Sequence, residues 1–151
     1  MAARNSYSGI QATVFGGTSP LGSALGGMLT RMGSSNIYPY RQMGTIWDDR
    51  FKELKTTADL GYKTYMRLTD FTSEREVSYT LKESNVVISC IGSKVYHKTE
   101  KDFEDSNIRV PMAIAKAVKN NPKIKRFVYI SAAGADPNSH SRRLRTKWLG
   151  E

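Results

Sequence analysis

The sequence predicts an α/β domain, a doubly wound parallel sheet with helices on both faces. Three observations carry this. Short apolar runs alternate with helical periodicities along the whole chain, a glycine-rich turn follows the first run directly, and capping or turn residues mark each change of period. The resulting order is β-α-β-α-β-α-β-α-β, and parallel strands joined through helices wind right-handed onto one sheet.

Gln11–Phe15 is a short apolar run ending at Gly16-Gly17, as a buried strand would. Leu21, Ala24, Leu25, Met28, Leu29 and Met32 repeat at helical spacing and predict an amphipathic helix with that stripe facing the core, closed by Gly33. Ile37–Tyr40 is the second strand, broken by Pro39 and ending at Arg41, and Trp47, Phe51, Leu54 and Ala58 suggest a short helix stopped near Gly61. Lys63–Leu68 alternates as a third strand, with Asp70 at its end. Ser73 caps the next helix, with Val77 and Leu81 inward and Glu76 placed to complete a capping box. Val86–Ile91 is a fourth, buried strand stopped by Gly92. Phe103–Lys119 is helical by period, with Pro111 setting an early turn or kink. After Asn120-Asn121-Pro122 comes a fifth strand, Arg126–Ser131, and a last helix begins around Ser139 and runs off the end of the sequence. Met1–Gly9 reads as an N-terminal lead and residues 10–151 as one nucleotide-binding domain, incomplete at its far end: a fragment, a split subunit, or a domain finished by another chain.

At 151 residues, 39% hydrophobic and 25% charged, the chain has the make-up of a globular domain with a real core. No run approaches the roughly eighteen apolar residues of a membrane span. Cys90 is the only thiol, which excludes an internal disulfide framework, and the isolated His97 and His140 offer no metal-ligand spacing. A net charge of +9 would suit an anionic cofactor, an acidic partner or an anionic membrane surface. The basic clusters at Lys116–Arg126 and Arg142–Lys147 interleave no aromatics in the manner of an RNA-binding sheet, so nucleic acid is not expected.

The first turn reads Val14-Phe15-Gly16-Gly17-Thr18-Ser19-Pro20-Leu21-Gly22. Between a strand and a helix, such glycines allow a tight turn and let a pyrophosphate approach the helix N-terminus. Ser19 and Pro20 add bulk there, and Pro20 removes an N–H, which weakens that hold. The second strand ends on Arg41 rather than an acid, with Asp48 and Asp49 several residues later, and Arg suits a 2′-phosphate: this favours NADP(H) over NAD(H).

Together these residues resemble the short-chain dehydrogenase/reductase superfamily, in its extended, atypical form, and imply a Rossmann-type fold. Gly16 and Gly22 match its G-x-x-G-x-x-G loop, with Ser19 in place of the middle glycine. Asp70-Phe71 is similar to the acid after the third strand that meets the adenine, and Ile91-Gly92 to the turn beside the ribose. Asn107 and Ser131 fall where extended members carry an Asn and a strand-end polar residue. Longer stretches resemble the family of NADPH-binding accessory subunits of mitochondrial NADH:ubiquinone oxidoreductase, respiratory complex I. They include Ser8-Gly9-Ile10, Arg31-Met32-Gly33, Pro39-Tyr40-Arg41, Ser84 to Ile88, Asp102 to Asp105, and Ser141 to Lys147.

The resemblance implies cofactor contacts at Gly16, Thr18, Ser19, Pro20, Leu21, Gly22, Arg41, Asp70, Phe71, Ile91, Gly92, Ser131 and Lys147. The cofactor it implies is NADPH, held without turnover. Reduction in the superfamily uses a Tyr as general acid and a Lys four residues on that lowers its pKa. Lys147 takes the lysine place, but the position four earlier is Arg143, which cannot readily give up a proton, so no catalytic residue is expected. Cys90 reads as a small core residue and Ser131 as a strand-end cap. The family further implies other complex I subunits as partners and a peripheral place on the matrix side of the mitochondrial inner membrane. The alternative is a free-standing NADP-dependent reductase or redox-sensing regulator of the same superfamily.

Overall fold

The computed structural model describes residues 7–41, 63–92 and 99–151. The helix expected around Trp47 to Ala58 lies outside the described residues, as do Asp48, Asp49 and His97. Five parallel strands, β1 (Gln11–Phe15), β2 (Ser35–Tyr40), β3 (Lys63–Arg67), β4 (Val86–Ser89) and β5 (Arg126–Tyr129), form one sheet in the order β3-β2-β1-β4-β5. The described helices are α1 (Pro20–Arg31), α2 (Glu74–Thr80), α3 (Glu100–Glu104), α4 (Val110–Lys119) and α5 (Arg142–Gly150), with a π-helical turn at Asp105–Arg109 between α3 and α4. This is the expected doubly wound α/β architecture. Chain direction across the sheet reverses between β3 and β4, so β1 and β4, neighbours in space, diverge into connections on opposite faces, which opens a crevice beyond their carboxyl ends.

The two faces are built differently. On one, Phe15, Leu68, Val77, Leu81, Val87, Val110, Ala113, Ile114 and Ala117 form the main core beneath α2 and α4. On the other, Ala12, Val14 and Tyr38 make a thinner layer beneath α1. The helix turns toward this layer not the expected stripe but its small residues, Gly22, Ser23, Gly26, Gly27 and Thr30; Leu21 and Met28 are 53% and 56% exposed. Tyr38 is the cause. Its ring lies so close to α1 that a Cβ on Gly26 would sit 2.7 Å from it, and one on Gly17 2.8 Å. Asn36 Nδ2, donating to the Gly26 carbonyl at 3.1 Å and the Tyr38 hydroxyl at 2.9 Å, pins the helix there.

β2 begins two residues earlier than expected, at Ser35, and runs through Pro39 rather than breaking at it. Backbone alternation explains the tolerance. The Ser35 N–H donates to the Ile10 carbonyl, and the Tyr40 carbonyl accepts from Leu68, so odd-numbered residues of β2 face β1. Pro39 falls on that side, past the last β1–β2 pair at Thr13–Ile37, where no ladder bond is asked of it.

Ser73 caps α2 as expected, accepting from the Glu76 N–H, but the capping box closes elsewhere. The Glu76 carboxylate accepts from the Thr69 hydroxyl at 2.5 Å and from the N–H groups of Thr69 and Asp70, bracing the exit of β3. These donors, the Thr69 hydroxyl first, hold its carboxyl below the usual glutamate value near 4.5. The folded state therefore favours the charged form, and this contribution is present above pH 4.5 and lost as pH falls through the lower folded value. We expect Glu76→Gln to flatten the acid limb of thermal stability between about pH 3 and 5. Melts across that range check it, and a variant that loses stability as steeply as the wild type would count against the brace.

Pro111 has no N–H to offer the Asn107 carbonyl four residues back, and the π-helical turn at Asp105–Arg109 directly precedes it. The helix also starts earlier than periodicity suggested, at Glu100, where Thr99 and Asp102 form a complete capping box. α5 packs across the π turn so closely that a Cβ on Gly150 would lie 1.7 Å from the Asn107 carbonyl oxygen. α5 begins at Arg142, capped by Ser141, rather than around Ser139.

Candidate functional site

At the carboxyl end of the sheet the ladder carries one residue beyond β4 and β5, through Cys90 N–H to the Phe15 carbonyl and Ile130 N–H to the Ser89 carbonyl. The chains then splay, so both strands end two residues short of the expected Ile91 and Ser131. A cleft of about 350 Å³ opens there. Its walls are Ser19 to Leu21 at the head of α1, Cys90 to Gly92 after β4, Ile130 to Ala132 after β5, Asn107 on the π turn, and Arg143 and Lys147 on α5.

The loop below the cleft leaves little choice of residue. Gly16 has φ +78°, and a Cβ there would meet the Cys90 backbone at 2.9 Å. The Gly16 carbonyl accepts from the Ser19 N–H at 3.0 Å and the Ser19 hydroxyl at 2.7 Å. Ser19 also caps α1, its Oγ accepting from the Gly22 N–H at 3.0 Å. Pro20 occupies the first helical position, where its missing N–H breaks no helical bond. Of the first three helical amides, Pro20 therefore has no N–H and that of Gly22 is engaged by Ser19, leaving Leu21 to head the cleft. An anion has a seat there, with fewer donors than an all-glycine loop would give.

Lys147 supplies the opposite wall. It is 4% exposed, donates to the Ile91 carbonyl at 3.1 Å, and lies 4.6 Å from the Tyr129 ring centre. Burial, helped by the neighbouring Arg143 charge, pushes its pKa down. Asn107 fixes this wall: fully buried, it donates to Thr146 Oγ1 at 2.8 Å and to the Arg143 carbonyl at 3.4 Å. Arg143 lies one helical turn before Lys147 and lines the same cleft. Tyr129 lies against Lys147. Its hydroxyl is buried without a hydrogen-bond partner among the described residues, and burial, aided by Glu151, raises its pKa.

Of the residues expected to bind cofactor, Ser19, Pro20, Leu21, Ile91, Gly92, Ser131 and Lys147 come together in this cleft. Gly16 and Thr18 belong to the loop beside it and Gly22 to the first turn of α1. Arg41 is exposed just after β2, and its charge helps to lower the Asp70 pKa, a shift due first to the Thr72 hydroxyl and N–H that Asp70 accepts from in a tight turn. Phe71 packs edge-on to Phe15 against the main core, 6.3 Å between ring centres. Ser131 donates to Glu151. Cys90 is half-buried and lines the cleft rather than sitting wholly in the core; burial raises its thiol pKa. Cys90, Asn107 and Arg143 join the site from positions that sequence spacing did not single out for binding, although Cys90 stands at a strand end just before Gly92 and Arg143 one turn before Lys147.

A dinucleotide fits this arrangement in kind. The glycine turn brings backbone close to the α1 N-terminus at the switch point, Arg41 follows β2, and a cation-walled cleft follows β4 and β5. Among the described residues no helix is long and apolar enough to cross a membrane.

Comparison with known proteins bears out the resemblance read from the sequence. The chain is 38% identical over 98% of its length to the mitochondrial NADH dehydrogenase [ubiquinone] 1 alpha subcomplex subunit 9 of Mus musculus, covering 37% of that protein. It is 36% identical over 98% to the Arabidopsis thaliana protein of the same name, covering 35% of it. It is 34% identical over 98% to the mitochondrial NADH-ubiquinone oxidoreductase 40 kDa subunit of Neurospora crassa, covering 37%. The chain thus spans little more than a third of the length of these relatives. No family model matches. Among solved structures, a UDP-glucuronic acid 4-epimerase from Bacillus cereus in complex with NAD superposes with TM-score 0.74 at 18% identity, over 93% of this chain and 49% of that one. A short-chain dehydrogenase/reductase from Mycobacterium ulcerans superposes at 0.68 and 21% identity, over 95% and 58%. These likenesses establish the Rossmann-type fold.

Proposed function

We propose, on the premise of this kinship with alpha subcomplex subunit 9, that the chain is the nucleotide-binding part of a non-catalytic accessory subunit of mitochondrial respiratory complex I. It holds NADP(H), in the NADPH form, and does not turn it over. Its place is peripheral, on the matrix side of the inner membrane, where its +9 net charge would face acidic neighbours or the anionic bilayer surface. The observation that carries the reading is the identity of 34–38% over 98% of the chain to subunits bearing those names.

The site supports the cofactor half of it. The loop from Gly16 to Gly22 and the Leu21 N–H would hold the diphosphate, Arg41 a 2′-phosphate, Asp70-Phe71 the adenine edge, and Ile91, Gly92, Ser131 and Lys147 the nicotinamide ribose. NADPH supplies hydride chemistry wherever a proton donor completes the site. Here Arg143 stands where that donor belongs, one turn before Lys147, and a guanidinium keeps its protons. What binding gives instead is stability by mass action, about 2.7 kcal/mol at a ligand concentration a hundred times Kd, favouring the folded surface that neighbouring subunits recognise. The sheet edge at β5, with half-buried Phe127, Val128 and Tyr129, is where another strand would complete the domain.

Isolating the protein natively and assaying the denatured extract for NADP(H) by mass spectrometry tests this. We expect stoichiometric NADP(H) together with respiratory subunits. The same partners without nucleotide would leave a scaffold with a degenerate pocket, and a nucleotide-bearing monomer without partners would favour the free-standing regulator.

A further inference from the structure

We infer that the cleft discriminates between the two redox states of its dinucleotide, binding the reduced form more tightly because Arg143 and Lys147 repel a positively charged nicotinamide. The inference rests on the dinucleotide reading above and specifies which form the site selects and why.

Topology assigns the halves of the ligand. The adenosine half belongs to the β2 side, where Arg41 follows the strand, and the diphosphate to the α1 N-terminus. A dinucleotide crossing the switch point therefore brings its nicotinamide over the ends of β4 and β5, into the cleft walled by α5. Oxidised and reduced forms differ there by one unit of charge: the oxidised ring is a pyridinium cation and the dihydropyridine is neutral.

The wall is cationic without compensation from its own lining. Arg143 and Lys147, one helical turn apart, both line the cleft, and among the described residues no aspartate or glutamate does. Cys90, the other titratable group in it, is kept as the neutral thiol by burial. At the rim Glu151 accepts from Ser131 and offsets part of the charge from outside the lining. The superfamily pattern places one cation here, the lysine, beside a neutral tyrosine. Arg143 adds a second, a guanidinium. Nor can Lys147 move away, since its ammonium is tied to the Ile91 carbonyl and boxed in by Tyr129. At an effective dielectric of about 20, one unit charge several ångströms away suffices for a tenfold difference in affinity or more. Each tenfold preference for the reduced form raises the midpoint potential of the bound couple by about 30 mV, so the bound nucleotide would stay reduced while the free pool oxidised.

The test is titration calorimetry of the full chain with NADPH and with NADP⁺ in one buffer, repeated for Arg143→Gln and Arg143→Lys. The Asn107 contact is to the Arg143 backbone carbonyl, so α5 keeps this anchor in either variant, and circular dichroism verifies folding. Expected are a preference for NADPH of about tenfold or more in the wild type and in Arg143→Lys, and a drop to a few-fold in Arg143→Gln that arises mainly from tighter NADP⁺ binding. Equal affinity of the wild type for both forms overturns the inference while leaving the dinucleotide reading intact. A preference unchanged in Arg143→Gln overturns the assignment to Arg143. Binding of neither form removes the dinucleotide reading, and this inference with it.

Discussion

Replacing Gly22 by alanine is expected to destabilise the chain by about 3 kcal/mol or more and to abolish nucleotide binding. The added methyl would lie 2.0 Å from the Gly16 carbonyl oxygen and 2.8 Å from its carbon, both backbone atoms. That carbonyl cannot retreat. It is held by the Ser19 N–H and hydroxyl, and Gly16 itself sits at φ +78° against the Cys90 backbone. The only relief is to move the head of α1 away from the sheet, which breaks the Ser19 cap and separates Gly26 from Tyr38. For a chain of this length such a loss lowers the thermal midpoint by roughly 6–12 °C. Gly9→Ala is the matched control, because nothing lies within 4 Å of a Cβ there, and it should stay within about 0.5 kcal/mol of wild type. Urea titration of both variants decides the matter: equal midpoints would mean that the turn is not built as described.

Gly22 also marks the limit of what the sequence discloses. A glycine between a strand and a helix advertises a phosphate-type turn locally, and the succession of strands and helices along the chain followed from alternating period and caps such as Ser73, which are local too. The orientation of α1 did not follow. Its Leu and Met stripe outscored the glycine face in any hydrophobic pattern, yet glycine, serine and threonine face the sheet because Tyr38, donated by β2, supplies the missing volume. That is a contact between elements and leaves no trace in the periodicity of either. The same holds for Glu76, whose spacing from Ser73 fits a capping box but whose carboxylate is taken by Thr69 and Asp70. In the site, residues at strand ends were legible, since the carboxyl edge of a parallel sheet is where ligands bind. The place of Cys90 in the cleft was not, because it needed the splay of β4, and Asn107, matched by resemblance alone, needed the π turn before Pro111 to bring it there.

Lys147→Met separates binding from stability. A lysine 4% exposed is ordinarily an expense to the fold, and here burial and the Arg143 charge both lower its pKa. The folded state therefore disfavours the ammonium, so wild-type stability should rise with pH from the lowered folded value up to the ordinary 10.5, a rise that the methionine variant lacks. Methionine keeps the length of the side chain and its packing on Tyr129 but leaves the Ile91 carbonyl without its donor. A carbonyl left without its donor costs about 1–3 kcal/mol, and relief of the buried charge opposes it, so the variant should fold within about 1 kcal/mol of wild type at neutral pH. Binding has no such offset. The ammonium is the buried cation that can donate to the ligand ribose, and a charged hydrogen bond of about 1.5–3 kcal/mol corresponds to a loss of roughly 10- to 100-fold in affinity for NADPH. Melting the variant in saturating NADPH exposes the split: little change in the apo midpoint and most of the ligand-induced shift gone. If the variant kept the full shift, Lys147 would be a strut joining α5 to the end of β4, and the cleft would owe its affinity to the α1 loop and Arg143.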